Sequence, residues 1–245
     1  MLDLNKERKG HLHPMTQMIN EINSIFFDMG FEVADGPEMD SEYYNFDVLN
    51  MPKNHPARDM QQTFWVKNKE NAVMRTHTSN VQIRYMEENK PPIRVIAPGK
   101  VFRNEATDAT HEAQFYQFEG FMVDETVKLG NLKGVLENFL EKFFGSDIEI
   151  RFRPSYFPFV EPGLEVDISC FKCGSGCSVC KSTGWIEVLG AGMIHPNVLE
   201  AAGIDSKKYQ GFAFGIGIDR LGMLRYGIND VRLFYQGDLR FVNQF

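Results

Sequence analysis

Apolar residues recur at helical spacing in two long stretches of the chain, and a third segment is also typical of a helix. The first stretch predicts a helix from Met15 to Met29, with Thr16 as a possible N-terminal cap and Gly30 as its end. The second predicts an amphipathic helix from Leu129 to Phe144, and the third lies at 79–89. In the first helix the apolar residues repeat every three or four positions and so lie on one face. They are Met18, Ile19, Ile22, Ile25, Phe26 and Met29.

Short β-type segments lie between these helices. Residues 93–97 and 115–123 predict two antiparallel strands joined by a long polar loop, and residues 212–226 predict a glycine-rich strand that turns into a helix. Further strands are expected at 31–33, at 148–152, at 185–189 and in a hairpin that pairs 64–66 with 72–74. Antiparallel strands interrupted by unevenly placed helices predict an α+β fold, with an antiparallel sheet flanked by helices.

Composition and length are those of one soluble domain over residues 1–245. Hydrophobic residues make up 43% of the chain and charged residues 24%, while 21 phenylalanines suggest a large core and a pocket lined by rings. No apolar run approaches the roughly 20 residues needed to span a bilayer, and the first residues lack a signal-peptide pattern, so a cytoplasmic protein is expected. The net charge of −7 argues against a dedicated nucleic-acid module.

All four cysteines of the chain lie within eleven residues, as Cys170, Cys173, Cys177 and Cys180. Two Cys-x-x-Cys pairs, with Gly174 and Gly176 between them, have the spacing of a tetrahedral zinc site. The alternative is a set of reduced or disulfide-bonded cysteines. We expect a structural zinc-knuckle insertion at about 169–184, which stiffens a loop and takes no part in chemistry.

The polar loop after residue 101 carries the first candidate binding wall. Arg103 follows one strand, and its planar guanidinium suits a phosphate oxygen. Gln117 and Glu119 on the returning strand point to the same face, where an amide and a carboxylate suit a ligand ammonium group. The alternative is a solvated hairpin face with one surface arginine.

A second candidate lies at residues 211–221, where Gly215 and Gly217 permit close backbone approach and Arg220 enters the first turn of the following helix. A cation at that position opposes the helix dipole unless an anion binds beside it. Gly-x-Gly-x-x-Arg between a strand and a helix therefore predicts nucleotide binding.

These segments together resemble the class II aminoacyl-tRNA synthetases. Gly36-Pro37-Glu38 is similar to motif 1 of that class, residues 102–120 to motif 2, and Gly215 to Arg220 to motif 3. Within the class, four further segments are similar to the bacterial-type phenylalanyl-tRNA synthetase alpha subunits. They are His55-Pro56-Ala57-Arg58, Arg75-Thr76-His77-Thr78-Ser79, Arg153-Pro154-Ser155-Tyr156-Phe157-Pro158-Phe159 and His195-Pro196-Asn197-Val198. The resemblance runs from about Leu12 to Phe245.

The resemblance implies an ATP site. Arg103 would bind the α-phosphate and Arg220 the γ-phosphate, and these two arginines would be the catalytic residues. Glu105 would lie near the adenine amino group and Phe115 would stack on the adenine, unless Phe115 is a core ring. His111 would complete the ATP-binding residues. Mg²⁺ would accompany ATP, with Glu187 as a candidate ligand.

The resemblance also implies a phenylalanine site. The ammonium and carboxylate groups of the amino acid would bind His77, Ser79, Gln82, Gln117 and Glu119. The phenylalanine ring would lie against Phe157, Phe159, Val160, Ala213 and Gly215. Two alternatives stay open, because Phe157 could be a core ring and His77 could satisfy only a backbone carbonyl. The pocket should reject tyrosine, whose hydroxyl would be crowded and unpaired.

The implied reaction is ATP-dependent activation of L-phenylalanine and its transfer to tRNA(Phe). The expected partner is a phenylalanyl-tRNA synthetase beta subunit in a heterotetramer, and the isolated chain could pair as a homodimer through the motif 1 helix and strand. The family's N-terminal tRNA-binding helical arm has no counterpart in this sequence, so we expect little tRNA charging by the chain alone. Two rival hypotheses are a non-catalytic scaffold and an enzyme that activates another amino acid.

Overall fold

The computed structural model describes residues 10–60, 62–173, 176–177 and 179–245. Residues 1–9 of the predicted domain and Gly174 of the predicted cysteine insertion lie outside this description. None of the helices in the described ranges has the length and apolar character needed to cross a bilayer.

A seven-stranded sheet organises the fold. Its strands are β1 (Glu32–Val33), β4 (Ile93–Phe102), β5 (Gln114–Asp124), β6 (Ile150–Phe157), β7 (Val160–Ser169), β8 (Trp185–Ile194) and β9 (Gln210–Gly217). They lie side by side in the order β1-β4-β5-β9-β8-β7-β6. A two-stranded sheet pairs β2 (Met39–Ser41) with β3 (Ala72–Met74). Every neighbouring pair in the large sheet is antiparallel except β1 and β4, which are parallel.

The described helices lie between and after these strands. The longer ones are α1 (Pro14–Asp28), α4 (Ser79–Glu88), α5 (Leu129–Phe144) and α7 (Ile218–Tyr226). Short ones are α2 (Glu42–Asn45), α3 (Pro56–Met60), α6 (Pro196–Ala201) and α8 (Leu239–Val242), and 3-10 turns occur at Asp47–Leu49 and Val231–Phe234.

The α+β architecture and the three long predicted helices are confirmed, and two details of the prediction are wrong. The cap of α1 is His13, whose ring Nδ1 accepts from the Met15 N–H at 3.2 Å, because Pro14 starts the helix one turn before Thr16 would. The hairpin that pairs 64–66 with 72–74 is confirmed, since Trp65 lies opposite Val73 and the Val66 and Met74 N–H groups donate to the Ala72 and Phe64 carbonyls at 2.9 Å each. Strand β3 also pairs with β2 on its other side. Strand β7 was not predicted, since Pro162 and Gly163 interrupt the apolar alternation that resumes after them.

One face of the large sheet carries the main core. Helices α1, α5 and α7 cover this face, and Phe26 of α1 lies at its centre. The Phe26 ring contacts four others at centroid distances of 5.1–5.6 Å, those of Phe31, Phe118, Phe139 and Phe214. The opposite face is covered at one end by a second cluster that includes α4 and α6. The rest of that face is the one available to a ligand.

The packing of the main core requires a glycine at position 120. A Cβ built there would lie 2.1 Å from the Phe214 ring, which occupies the space above this strand position. We expect Gly120→Ala to lower the free energy of unfolding by about 1–3 kcal/mol, since the ring must move out of its stack with Phe26. Chemical denaturation measures this change.

Gly134→Ala is the matched control, because Gly134 is exposed in α5 and a Cβ there meets nothing within 4 Å. It should raise the free energy of unfolding by up to about 1 kcal/mol. Equal changes in the two variants would contradict the packing assigned to Phe214.

Candidate active site

The free face of the sheet has a floor made of glycines. Cross-strand pairs bring together Gly163 of β7, Gly190 and Gly192 of β8, and Gly215 of β9. A Cβ at Gly215 would lie 2.9 Å from Gln117 Nε2, and one at Gly190 would lie 3.0 Å from the Phe157 ring. The absence of side chains thus makes a trough along the sheet, and ligand-type side chains stand at its sides.

Aromatic rings form one end of the trough. Phe157 and Phe159 stack with centroids 5.9 Å apart, and both rings are half-buried. Val160 and Ala213 are buried at the same end, with 5% of each residue exposed. The predicted ring-binding residues are therefore together, and Phe157 lies over the glycine floor rather than in either core cluster.

A buried carboxylate lies next along the trough. Glu119 is 4% exposed and is paired across the strand with Gly215. It accepts hydrogen bonds from the Ser79 hydroxyl and, at 2.7 Å, from Gln82 Nε2. Burial raises the pKa of Glu119 to about 7, although these two hydrogen bonds partly oppose that shift. No described cation pairs with this carboxylate, so it can receive a ligand ammonium group.

His77 is buried beside this site, and both its ring nitrogens are hydrogen-bonded within the chain. Its Nδ1 accepts from the Ser79 N–H at 3.2 Å, and its Nε2 donates to the Asn45 carbonyl at 3.1 Å. Burial, with a smaller contribution from the Arg103 charge, lowers the pKa of His77 to about 3. Both ring nitrogens are thus occupied within the chain, and the alternative role for His77, satisfying a backbone carbonyl, agrees with the structure. The predicted contact with the amino acid stays a prediction.

Arg103 and Phe115 lie beyond Glu119 on the same side of the sheet. Arg103 follows the end of β4, its Nε donates to the Thr76 carbonyl at 3.1 Å, and its Cζ lies 5.1 Å from the Phe115 ring centroid. Phe115 alternates with Gln117 and Glu119 along β5 and is half-buried, so it is not a core ring. This pairing gives the site a flat aromatic surface beside a cation.

Glu105 and His111 lie in the loop between β4 and β5. Glu105 is half-buried, and its backbone N–H donates to the Arg103 carbonyl at 2.8 Å. His111 is exposed and its Nδ1 lies 3.0 Å from the Asp108 carboxylate. The loop is tied to the last part of the chain, because the Val231 N–H donates to the Ala109 carbonyl at 2.9 Å.

Charged side chains surround the other end of the trough. Arg220 is exposed at the third position of α7, as predicted, and it lines a cleft with Glu187 of β8. Burial and the nearby Glu165 charge raise the pKa of Glu187, and the Arg153 guanidinium, 3.5 Å from the carboxylate, only partly opposes this shift. A carboxylate under this repulsion is suited to a divalent cation, which would relieve it.

The four cysteines are also brought together. They occupy the connection between β7 and β8, and their sulfur atoms all lie within 4.8 Å of one another. The Sγ–Sγ distances are 3.8 Å for Cys170–Cys177, 3.6 Å for Cys173–Cys180 and 3.9 Å for Cys177–Cys180. Tetrahedral zinc with Zn–S bonds of about 2.3 Å requires edges of about 3.8 Å, so the donor set fits this metal. All four cysteines are free, which disagrees with the disulfide alternative.

The sequence prediction missed three positioning residues. Asp219 is buried beside Arg220 and binds both the Tyr116 N–H, at 2.6 Å, and the Tyr235 hydroxyl. Burial raises the pKa of Asp219 to about 6. The sequence signal that could have identified Asp219 is its place directly before Arg220 and two residues after Gly217.

The other two missed residues fix the segment before α4. Arg75 is buried beneath Gly99 and donates to backbone carbonyls, at 2.7 Å to Lys100 and 3.0 Å to Gly36. Asn45 holds Thr76 through two side-chain hydrogen bonds of 3.0 and 3.2 Å. No local pattern marks Asn45, because its contacts come from the tertiary fold.

Comparisons with known proteins agree with this geometry. The family described as tRNA synthetases class II core domain (F) matches residues 1–245. The protein of Anoxybacillus flavithermus named Phenylalanine--tRNA ligase alpha subunit is 58% identical over 241 residues, which is 97% of this chain and 70% of that protein. Proteins of the same name from Streptococcus agalactiae and Staphylococcus epidermidis are each 58% identical, covering 96% of this chain and 69% and 67% of their own lengths.

The raised pKa of Glu119 gives a test of the site's electrostatics. The folded-state pKa of about 7 lies above the ordinary value of about 4.3. Protonation of Glu119 therefore stabilises the fold fully below about pH 4.3, and this stabilisation is lost as the pH rises from there to about 7. Glu119→Gln keeps the shape without the charge. Relative to this variant, the wild type should lose about 2–3 kcal/mol of unfolding free energy between pH 5 and pH 8.

Glu137→Gln, at an exposed position of α5, makes the same change of charge and is the control. Urea denaturation across the pH range measures all three proteins. A wild-type curve that stays parallel to that of Glu119→Gln would contradict a strongly buried ionisable carboxyl.

Proposed function

Because the chain belongs to the class II tRNA synthetase core family, and within it to the phenylalanine–tRNA ligase alpha subunits, we propose that it activates L-phenylalanine with ATP and passes the phenylalanyl group to tRNA(Phe). One observation carries the proposal. An aromatic-lined pocket, a buried carboxylate and an arginine next to an aromatic ring follow one another along one face of the sheet. This sequence of groups matches an amino acid joined to a nucleotide.

We propose that the amino-acid end holds phenylalanine by its ring and its ammonium group. The ring would lie between the glycine floor and Phe157 and Phe159, which are spaced for aromatic contact. Glu119, with Gln117 beside it, would receive the ammonium group, whose charge favours the ionised carboxylate. Ser79 and Gln82 would hold that carboxylate in place through the hydrogen bonds they already make.

The nucleotide end would hold ATP by its base and by both ends of its triphosphate. Phe115 offers a flat face to adenine, Glu105 an acceptor for its amino group, and His111 a further contact from the same loop. Arg103 would bind the α-phosphate and Arg220 the γ-phosphate. The phenylalanine carboxylate oxygen then bonds to the α-phosphorus as pyrophosphate leaves. Catalysis is therefore positioning and charge stabilisation, without a protein nucleophile.

Mg²⁺ would enter with ATP and neutralise phosphate charge, and Glu187 is the carboxylate we propose to hold it. Support comes from its raised pKa and from its place in the cleft that contains Arg220. His77 would act indirectly in this scheme, by orienting Ser79 through the backbone N–H that its Nδ1 accepts.

We further propose a beta subunit and tRNA(Phe) as macromolecular partners, and a cytoplasmic location. The net charge of −7 supports a beta subunit as partner. Binding of tRNA relies on cations that neutralise its phosphates, and an acidic chain would need a second subunit to supply them. Phe27 of α1 and Val33 of β1 are 76% and 53% exposed, and they offer an apolar surface to a beta subunit or, for the isolated chain, to a second copy.

Phenylalanine-dependent exchange of pyrophosphate into ATP tests the activation step. Among the twenty amino acids, only phenylalanine should support efficient exchange, and tyrosine should be rejected because its hydroxyl finds no partner at the apolar end of the pocket. Ala213→Gly should admit para-substituted phenylalanines, since it removes a methyl group from the buried ring end.

Efficient exchange with a different amino acid would overturn the specificity, and no exchange at all would favour a non-catalytic scaffold. Gly134→Ala, far from the pocket, should leave the ranking of substrates unchanged. Unchanged selectivity in Ala213→Gly would remove Ala213 from the pocket while leaving the activity itself in place.

We also propose that the four cysteines bind one structural Zn²⁺. Backbone N–H groups of Gly176 and Cys177 donate to Cys173 Sγ and Cys180 Sγ at 3.2 Å each, an arrangement that stabilises bound thiolates. The hydrogen bond from the Cys177 N–H lowers the pKa of Cys180, whereas burial raises the pKa of Cys173, so a cation is needed to hold the whole set as thiolates. These contacts and the tetrahedral spacing are the support for the metal.

Elemental analysis of protein purified without chelator should find about one zinc per chain. Cys173→Ser should reduce this, whereas Ser169→Ala, at the last residue of β7 and not a sulfur ligand, should not. Chelation should raise hydrogen exchange in residues 170–185 before it affects the sheet, because the metal closes only this connection. Metal-free protein with four titratable thiols would contradict the proposal.

A further inference from the structure

A positively charged cleft joins the cysteine connection to the nucleotide end of the trough. Its volume is about 380 Å³, and its lining includes Arg151, Arg153, Lys181, Glu187 and Arg220. With Asp167, the lining has four cations against two carboxylates. The excess of two positive charges is suited to a polyanion.

The cations of the cleft are not equally available. Asp167 is 1% exposed, and it accepts hydrogen bonds from Arg151 at 2.6 Å and from Arg153 at 2.6 Å. Burial alone would raise the pKa of Asp167, but these arginines outweigh it and lower the value. By contrast, Lys181 and Arg220 form no ion pair with any described carboxylate. They are the two cations that a ligand can recruit.

The cysteines determine where Lys181 lies. Lys181 and Ser182 have left-handed backbone, with φ of 50° and 61°, in the turn that follows Cys180. The turn is closed by hydrogen bonds from the Ser182 N–H to the Cys177 carbonyl, at 2.9 Å, and from the Thr183 N–H to the Cys180 carbonyl, at 3.0 Å. Any metal on the cysteines would therefore fix the backbone that carries Lys181.

We propose that Lys181 is a second phosphate-binding cation, which acts with Arg220 on the terminal phosphates of ATP and on the pyrophosphate that leaves. The inference rests on the proposed activation reaction. In that reaction the bond from the α-phosphorus to the bridging oxygen breaks, and its electron pair remains on pyrophosphate. Negative charge therefore grows at the end of the trough where the two free cations lie, and a lysine is an effective point charge for phosphate. The cysteine insertion thus adds a ligand contact to the site as well as stiffening a loop.

The two tryptophans of the chain allow binding to be measured directly. Trp185 lines the cleft, with the Arg151 Cζ 4.3 Å from its ring, whereas Trp65 lies outside the cleft lining. In the Trp65→Phe protein, Trp185 fluorescence reports titration with magnesium pyrophosphate. Lys181→Ala should weaken the apparent Kd about tenfold, and Lys181→Arg should recover most of the loss.

Lys172→Ala is the matched control, because it removes the same charge from an exposed position of the same insertion that does not line the cleft. It should bind pyrophosphate like the parent protein. Equal binding by Lys181→Ala and the parent, or equal weakening by both alanine variants, would overturn the proposal. Zinc content, measured in every variant, should match the parent, and a change confined to Lys181→Ala would show that its effect comes from a damaged knuckle.

Exchange kinetics separate this inference from the proposed function. Lys181→Ala should raise KM for ATP and for pyrophosphate several-fold and leave KM for phenylalanine unchanged. Normal exchange constants in Lys181→Ala would reject the lysine and keep the synthetase function. Absence of exchange in the parent protein would reject the function, while the fluorescence titration would still decide whether Lys181 binds pyrophosphate.

Discussion

The structure depends on one constraint, that a single sheet must be packed tightly on one face and left partly open by glycines on the other. Strand alternation makes this possible, because neighbouring residues such as Phe118 and Glu119 point to opposite faces. On the packed face, Phe118 and Phe214 surround Phe26. On the free face, glycines leave a trough. The rigidity of the first face is what allows the second to hold a ligand at fixed distances.

Buried polar groups then give the trough its chemistry. Arg75, Asn45 and Asp219 lie outside the proposed ligand contacts, but their hydrogen bonds fix backbone around the site. Arg75 holds the end of β4 at Lys100, Asn45 holds Thr76 before α4, and Asp219 holds Tyr116 beside Phe115. Asp219 is the clearest case, since it links the strand that carries Phe115 to the helix that carries Arg220. An unpaired polar group in such a place would be costly, so these contacts also make the arrangement specific.

Much of the fold could be predicted from the sequence because helix periodicity and strand alternation are patterns of neighbouring residues. The helix ending at Gly30 and the pair of strands around the loop that follows Arg103 have regular patterns, and both are confirmed. Strand β7 was missed because Pro162 and Gly163 interrupt its pattern, although both are tolerated once neighbouring strands define the register. In the site, residue types indicated Glu119 and Arg220, but only tertiary contacts reveal that His77 is already satisfied and that Lys181 shares a cleft with Arg220.

The two edges of the sheet differ in how they meet further polypeptide. Strand β6 ends one side and carries Arg151, Arg153 and Pro154, so charge and a missing backbone donor discourage the addition of another strand there. Strand β1 ends the other side with only two residues, and one of them is the exposed Val33. Charge and a proline at β6, and the two-residue length of β1, therefore both disfavour the addition of a strand from another molecule. A neighbouring chain at β1 would instead pack against exposed side chains.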